Sequence, residues 1–556
     1  MSDHHLIARA LLSVSEKSGL IPLATALVAK GVELLSTGGT AKAIKDAGLP
    51  VTLVEQHTGF PEMMDGRLKT LHPKIHGGLL ALRDDAAHQA AAVTHGIPPI
   101  DLVIVNLYPF RQTVAEPNVA FDHAIENIDI GGPTMVRAAA KNHRFVAVAT
   151  DPAQYAGLIA QISATGGTTL ATRQRLAAEA FAHTAAYDAA IARWLAPRFL
   201  NKSEADFPAE LALPFSLVQR ARYGENPHQT AAVYADALFT GPSVVNARQL
   251  HGKELSYNNV NDAAAALDLA FSLTCDDTAG ASIGAAVIKH ANPCGAARVP
   301  AAAVVGGASI VLLACEQAIA GDPLAAFGGI LACNAVIDLA TAERLVRRDI
   351  FLEVLVAQDF SPEALAVLKA RSANIRLLAT GPLLQTPGGP LMYKSIPGGL
   401  LVQERDLLAP NPASWVHAAG PAPTVAQLQA AASVELFVRA MSSNAIAIGA
   451  MASDNNSPAN GCKPTRLLGG GVGQVDRVTA CRLAVEKCKA TGSSFANAIA
   501  ASDAFFPFPD GPKILIDAGV KMIVHPGGSK RDGETFLLCN EHNVTCMTTG
   551  VRRFRH

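Results

Sequence analysis

The stretch Asp101–Phe110, DLVIVNLYPF, is apolar at nearly every position, and no other feature limits the fold as much. A strand without in-and-out alternation has to be covered on both faces, and a parallel sheet between two layers of helices does that. FVAVAT at 145–150 has the same character. Around these runs apolar and amphipathic segments alternate. LIARALLSVS (6–15) reads as a strand and SGLIPLATALVAKG (18–31) as a helix closed by Gly31. VELLSTGG (32–39) is a strand running into a loop, TAKAIKDAG (40–48) a helix, and 172–196 one long helix. Strand–helix alternation of this kind predicts a mostly parallel α/β sheet.

At 556 residues the chain exceeds one core, so at least two domains are expected. LNKSEADFPAELALP, 200–214, is polar and carries proline, which marks it as a linker between domains at 1–199 and 215–556. The second domain repeats the α/β pattern. Glycine and proline punctuation at Gly381–Pro390 divides it into two subdomains. A net charge of −1 does not favour nucleic acid or an anionic membrane. The start lacks the apolar core of a signal peptide, and the most apolar run, Ala301–Cys315, is broken by Gly306-Gly307, too short to span a bilayer. All nine cysteines lie beyond residue 270 with no CxxC pair, which predicts reduced thiols in a cytoplasmic protein.

Several stretches carry chemistry. STGGTAKAI, Ser36–Ile44, sets two glycines and hydroxyl residues between a strand and a helix; helix N-terminal N–H groups bind anions such as phosphate, although an ordinary glycine turn capped by Thr40 has the same appearance. SVSEKSG has the same layout with Lys17, and the two loops should converge at one carboxyl edge. MDGRLKTLHPKIHGG gathers Arg67, Lys69, His72, Lys74 and His76, as a basic solvated loop or one that holds an anionic substrate. NIDIGGPTMVRAAAKNH opens a helix on a second glycine pair, with Asp129 before it and Lys141 about two turns beyond. Tyr108 ends its strand. RYGENPHQ and GKELSYNN are polar, aromatic loops suited to ligands. LLGGGVGQVDR lacks a full GxGxxG, and no GxxxxGK[ST] occurs. CNEHNVTC tempts as a metal site, but it has three candidate ligands in one segment and reads better as a strand–turn–strand core. NPCG matches half of a zinc-deaminase signature, with Ala297 where the second cysteine belongs and no HxE before it.

AAVIKHANPCGAA, Ala285–Ala297, reads as a buried strand that stops at Lys289-His290, where Asn292-Pro293-Cys294-Gly295 breaks the backbone. Lysine almost never ends fully buried without a partner, so the pair either emerges into solvent or does chemistry. An ammonium beside an imidazole disfavours the imidazolium and leaves the ring able to accept a proton.

SVSEKSGL, STGGTAKAI, TGFPEMMDGRLKTLHPKIHGGLLA, NLYPF, IDIGGPTMVRAAAKNH, RYGENPHQ, GKELSYNN, KHANPCGAA, SDAFFPFPD and GVRRFRH occur in this order over almost the whole chain. Together they resemble the bifunctional AICAR transformylase/IMP cyclohydrolase family of bacterial type. The resemblance implies a methylglyoxal-synthase-like parallel-sheet N-terminal domain and a C-terminal region of two cytidine-deaminase-like α/β subdomains without zinc. It implies formyl transfer from 10-formyltetrahydrofolate to AICAR, giving FAICAR and tetrahydrofolate, then dehydrative closure of FAICAR to IMP. It further implies a cytoplasmic homodimer with transformylase sites at the subunit interface, no catalytic metal and no nucleic-acid or membrane partner.

By the same resemblance His290 is the general base of transfer, and Lys289 stabilises the oxyanion or protonates the departing folate nitrogen. Arg222, Tyr223, Asn444, Arg477, Phe505, Arg552 and His556 fall at AICAR or phosphate contacts and Asp510 on the folate side. Lys69 and Tyr108 would stabilise the oxyanion and leaving group in ring closure, while Asp129 and Lys141 would handle amide activation and proton transfer. Ser13, Lys17, Ser36, Thr37, Gly38, Gly39, Thr40, Arg67, Thr70, Gly131 and Gly132 would hold the cyclohydrolase nucleotide. Two departures stand out: Ser442 where relatives carry Lys, and a longer segment at 451–468, both bordering the AICAR pocket. Rival readings are a non-catalytic nucleotide sensor, a zinc-dependent deaminase, and a chain that keeps one of the two activities.

Overall fold

Five parallel strands form the first sheet, in the order Thr52–Leu53, Glu33–Ser36, Arg9–Val14, Leu102–Asn106, Ala147–Ala149. Leu102 to Val105 are buried on both faces, which is why that stretch could dispense with alternation. The computed structural model describes residues 3–556 apart from 275, 278–279, 302–308 and 452–462. It divides into two units, Met1–Ser216 with Asp236–Leu238, and Leu217–Ala235 with Phe239–His556. Residues 200–214 belong to the first unit and include a short helix, Lys202–Asp206.

The helices of the first unit follow its sequence pattern. Leu20–Ala29 buries Leu20, Leu23, Ala24 and Leu27, one stripe at helical spacing, and Gly31 closes it with φ 74°. The helix Leu170–Phe199 packs on Gly131–Lys141 and on Ala147–Ala149, with Tyr187 and Trp194 in the core. Strand order reverses between Arg9–Val14 and Leu102–Asn106. In open α/β sheets the crevice beyond the carboxyl ends at such a reversal holds the ligand.

The second unit is built on one sheet of thirteen strands among the described residues. From one edge run Arg248–His251, Arg376–Ala379, Leu352–Ala357, Gly329–Cys333, Gly280–Lys289 and Asn292–Pro300. From the other edge run Val416–Ala419, Thr545–Thr548, Met522–His525, Ala498–Ser502, Ile446–Met451 and Thr465–Gly471. Both series are antiparallel, parallel, parallel, antiparallel and antiparallel in turn. They follow the chain in the same order and meet in an antiparallel pair, Ala297 opposite Arg466. The two expected subdomains are thus halves of one sheet related by a local twofold. Even the caps repeat: Ser256 with Asn259 opens Tyr257–Ser272, and Thr424 with Gln427 opens Val425–Arg439.

Glycines allow each half to close. A methyl on Gly295 would stand 1.8 Å from the carbonyl of Ala318, and one on Gly471 would stand 1.9 Å from that of Ala480. Each glycine lies on a central strand under the helix that follows it, Ile310–Ile319 or Arg477–Ala490. This accounts for LLGGGVGQVDR: its three adjacent glycines belong to the strand Thr465–Gly471, and two of them lie close under a helix.

Two expectations change. The chain does not stop pairing after Lys289; it turns at His290-Ala291 and returns as Asn292–Pro300, with Lys289 opposite Asn292. The register shift between Val287 and Ile288 places a bulge at Pro293-Cys294, where a proline is tolerated in a central strand. CNEHNVTC is helix–turn–strand: Cys539 ends the helix Asp532–Glu541 and Cys546 lies in Thr545–Thr548. Gly306-Gly307 and most of the 451–468 segment fall outside the described residues.

Gly295→Ala and Gly471→Ala should each destabilise the second unit by roughly 1–3 kcal/mol or more, because helix backbone must move away from the sheet. A lowered thermal unfolding midpoint in both variants is expected; an unchanged midpoint would mean that the contact is not close.

Candidate functional site

Two cavities open at the carboxyl edge of the first sheet. One, about 290 Å³, is lined by Ser36, Thr37, Gly38, Leu53, Val54, Glu55, Phe60, Glu62 and Lys69. The other, about 530 Å³, contains Ser13, Arg67, Lys69, Thr70, Tyr108, Asp129, Gly131 and Gly132. Lys69 lines both, so a single ammonium serves two adjoining spaces.

In the smaller cavity the helix Gly38–Asp46 presents its N-terminus, with Thr37 as an N-cap whose side chain makes no capping bond. Free helix N–H groups there suit an anion. Lys17 comes in from the neighbouring strand end. Its Nζ donates to the carbonyl of Ser15 at 3.3 Å and stands 3.8 Å from where a Cβ on Gly39 would lie. The two loops therefore converge. Two hydroxyls expected to hold the ligand are already committed: Ser36 Oγ donates to Leu12 O at 2.7 Å, and Thr40 Oγ1 both accepts from Val14 N and donates to Val14 O at 3.0 Å. They tie the loop to the sheet.

The larger cavity centres on Asp129. Its Oδ1 accepts from Gly132 N at 2.7 Å, while its own N–H donates to the Tyr187 hydroxyl at 2.8 Å. Tyr187 in turn donates to Asn127 O at 3.1 Å. Burial pushes the Asp129 carboxyl above the usual carboxylate range, opposed by the N–H groups of Gly132 and Tyr108 and by the Lys69 ammonium. The glycine pair is needed because a Cβ on Gly131 would meet Thr70 Oγ1 at 2.6 Å and one on Gly132 would meet Asp129 Oδ2 at 2.4 Å. Arg67, placed here from sequence, is engaged by Glu126. Lys141 is not part of the cluster. It ends the helix that Gly131 begins, about 15 Å away along the axis at 1.5 Å per residue, and is exposed.

The second unit assembles its candidates around the hairpin tip. His290 and Ala291 have φ of 53° and 58°, a two-residue turn in the left-handed region built without glycine. Such a conformation costs L-residues about 1–2 kcal/mol each. The Asp262 carboxylate accepts from both turn N–H groups, His290 at 3.0 Å and Ala291 at 2.8 Å. Lys289 Nζ donates to Phe327 O at 2.9 Å, and His290 is exposed. Asn292 then joins the halves: Nδ2 donates to His290 O at 3.0 Å and Oδ1 accepts from Ser442 N at 2.9 Å.

Two residues on, Asn444 Oδ1 accepts from Arg477 Nη2 at 2.6 Å. Arg477 Nη1 also reaches Ser502 Oγ at 2.8 Å and buried Asp503 at 2.5 Å. The C-terminal strand of chain lies alongside, with Ser443 N donating to Arg555 O at 2.9 Å. Arg553 is buried against Glu435 at 3.0 Å and Asp406 at 2.7 Å. Arg552 and His556 stay near the exposed ring of Phe554. Phe505 is exposed two residues past Asp503. Arg222 lies over the Tyr223 ring at 5.7 Å, and Asp510 begins the helix Asp510–Asp517. No hydrogen bond among the described residues joins Arg222, Tyr223 or Asp510 to this network.

Sequence reading missed Tyr187, Asp262, Asn292 and Asp503. Asn292 and Asp503 lie inside quoted motifs, so position was a signal; Tyr187 and Asp262 sit on helices whose facing partners no local pattern reveals. His525 was also missed. It is fully buried beside Phe506, accepts from Gly527 N through Nδ1 at 3.1 Å, and burial lowers its pKa to about 4, leaving a neutral ring. Among the described residues no group of three His, Cys, Asp or Glu could hold a metal, and no helix could cross a membrane.

Two family profiles match the chain. One described as AICARFT/IMPCHase bienzyme covers residues 139–487, and one described as MGS-like domain covers 19–134. Curated relatives share its full length. The bifunctional purine biosynthesis protein PurH of Parvibaculum lavamentivorans is 46% identical over all of this chain and 98% of its own. The proteins of that name from Bradyrhizobium diazoefficiens and Jannaschia sp. are 46% and 45% identical over the whole of both chains.

Tyr187→Phe removes the hydroxyl that serves both Asp129 N and Asn127 O. Leaving two half-buried main-chain groups without that partner should destabilise the first unit by about 1 kcal/mol. Thermal unfolding of the variant checks this; a midpoint equal to that of the parent would show that the bridge carries no weight.

Proposed function

The chain belongs to the AICARFT/IMPCHase bienzyme family, and from that premise we propose which residues carry each of its two reactions. The protein is a bifunctional enzyme of purine biosynthesis. It transfers a formyl group from 10-formyltetrahydrofolate to AICAR and closes the resulting FAICAR to IMP. Ring closure is assigned to the first unit and formyl transfer to the second.

In transfer, the AICAR amine is conjugated to an electron-poor imidazole and attacks weakly. His290 takes its proton as the new C–N bond to the formyl carbon forms. The bond from the formyl carbon to the folate nitrogen then breaks, and that nitrogen gains a proton. Lys289 stabilises the intermediate oxyanion or supplies that proton. One donor of this kind contributes on the order of 3–4 kcal/mol to the barrier. Asn444 and Arg477 border the AICAR site, with Phe505, Arg552 and His556 nearby, while Arg222, Tyr223 and Asp510 complete the AICAR and folate contacts. The observation that carries this reading is the chain of hydrogen bonds from His290 through Asn292 and Ser442 to the segment bearing Asn444.

In ring closure an amide nitrogen attacks the formamide carbon and water leaves. Lys69 and Tyr108 stabilise the developing oxyanion and the leaving hydroxide; Asp129 takes the amide proton. The Gly38 helix end and Lys17 receive the phosphate. Lys141, at the far end of its helix, would have to act through an intermediary. The enzyme is further proposed to be cytoplasmic, in keeping with seven free cysteines among the described residues, and homodimeric, which sedimentation tests.

His290→Ala should abolish tetrahydrofolate release while added FAICAR still closes; parallel loss of both activities would remove His290 from its role. Lys69→Ala and Asp129→Asn should do the converse. Because Asp129 acts as carboxylate and burial raises its pKa, ring closure should rise with pH on an acid limb above the ordinary carboxylate range. Any ring closure that remains in Asp129→Asn should lack that limb. A limb that persists in the Asn variant would assign it to another group.

A further inference from the structure

We propose that Asp262 is a positioning residue for formyl transfer: its carboxylate holds the His290–Ala291 turn in the left-handed conformation that aims the imidazole. This rests on the assignment of His290 as base. A two-residue hairpin turn of this hand normally carries Asn-Gly or another glycine pair. Here both positions bear a Cβ, so local preference opposes the turn that the hairpin requires.

Asp262 supplies what the turn residues lack. One oxygen takes the His290 N–H and the other the Ala291 N–H, so neither can be lost without freeing one residue of the turn. Bonds to an ionised acceptor are among the strongest of their kind. The support is rigid. Asp262 lies in the second turn of Tyr257–Ser272, a helix fixed by its Ser256–Asn259 capping box and by the burial of Ala263, Ala266, Leu267 and Ala270. Asn292 Nδ2 ties the His290 carbonyl from the opposite strand. The carboxylate contacts the main chain of His290, so it acts on the direction of the Cα–Cβ bond. Relaxing the turn would rotate the imidazole away from the amine while Val287 and Ile288 stay paired with the following strand.

Four variants of the full chain test this: Asp262→Ala, Asp262→Asn, Ala291→Gly, and Asp262→Ala combined with Ala291→Gly. Formyl transfer is followed with AICAR and 10-formyltetrahydrofolate, and ring closure with FAICAR. Asp262→Ala should lower kcat of transfer at least tenfold with KM for AICAR changed less than threefold and ring closure intact. Asp262→Asn should fall between, since its amide offers one acceptor for two donors. Ala291→Gly should match the parent, and in the double variant it should restore kcat at least threefold, because glycine takes the left-handed conformation unaided. A kcat within twofold of the parent in Asp262→Ala, a loss confined to KM, a parallel loss of ring closure, or no rescue by glycine would each overturn the proposal. His290→Ala is the reference: if it still transfers formyl, the assignment of the base fails and Asp262 has nothing to position; if it does not, the Asp262 series stands or falls alone.

Discussion

Another part of the chain can press against a main chain only where a side chain is missing, and both units use that constraint. Gly295 and Gly471 let the helices over the central strands settle onto the sheet, so the two halves of the second unit can share one seam. The seam sets the register that brings the tip of one strand, His290, level with the approach to another, Ser442–Asn444. In the first unit Gly131 and Gly132 play the same part on a smaller scale, admitting Thr70 and Asp129 against a helix start. Side chains at these glycines would pry open the places where polar groups now converge.

The two sites treat charge differently. Asp129 is buried at its cavity wall, and its elevated proton affinity comes from lost hydration more than from any neighbour. His290 stands exposed on a turn, held through its main chain by Asp262. Arg477 is the reverse case: a buried charged residue with three of its five N–H donors committed to Ser502, Asp503 and Asn444, which fixes the Asn444 amide in place.

Much of this could be read from the chain. The parallel first sheet followed from strands lacking alternation; Tyr108 stood out at a strand end, Asp129 before a glycine pair and Lys69 in a basic loop, and all three line one cavity. Lys141 failed to join them because a helix carries residues away from its start by a fixed rise, which a motif conceals. Ser36 and Thr40 looked like ligand hydroxyls, yet their donors meet carbonyls of the adjacent strand. The end of the Lys289 strand was misread because Pro293 and Gly295 look like breakers; the bulge absorbs the proline, and the glycine is there for the helix above it. Asp262 and Tyr187 were invisible for a simpler reason. Their partners are main-chain groups 28 and 58 residues distant, and main-chain groups leave no mark on a sequence.

The local twofold of the second unit has a consequence for how the molecule recognises anything asymmetric. A sheet repeated about an axis would, left to itself, offer two equivalent mouths. Here one half lends the tip that carries Lys289 and His290, while its twin lends the shelf that carries Asn444 and Arg477, and Asn292 is the bolt between them. Symmetry is kept at the axis, where repeated strands agree, and broken at the rim, where the tip and the shelf carry unlike side chains. Neither half is therefore a module that could be lifted out intact: cutting the chain between them would divide the hydrogen-bonded network as well as the sheet.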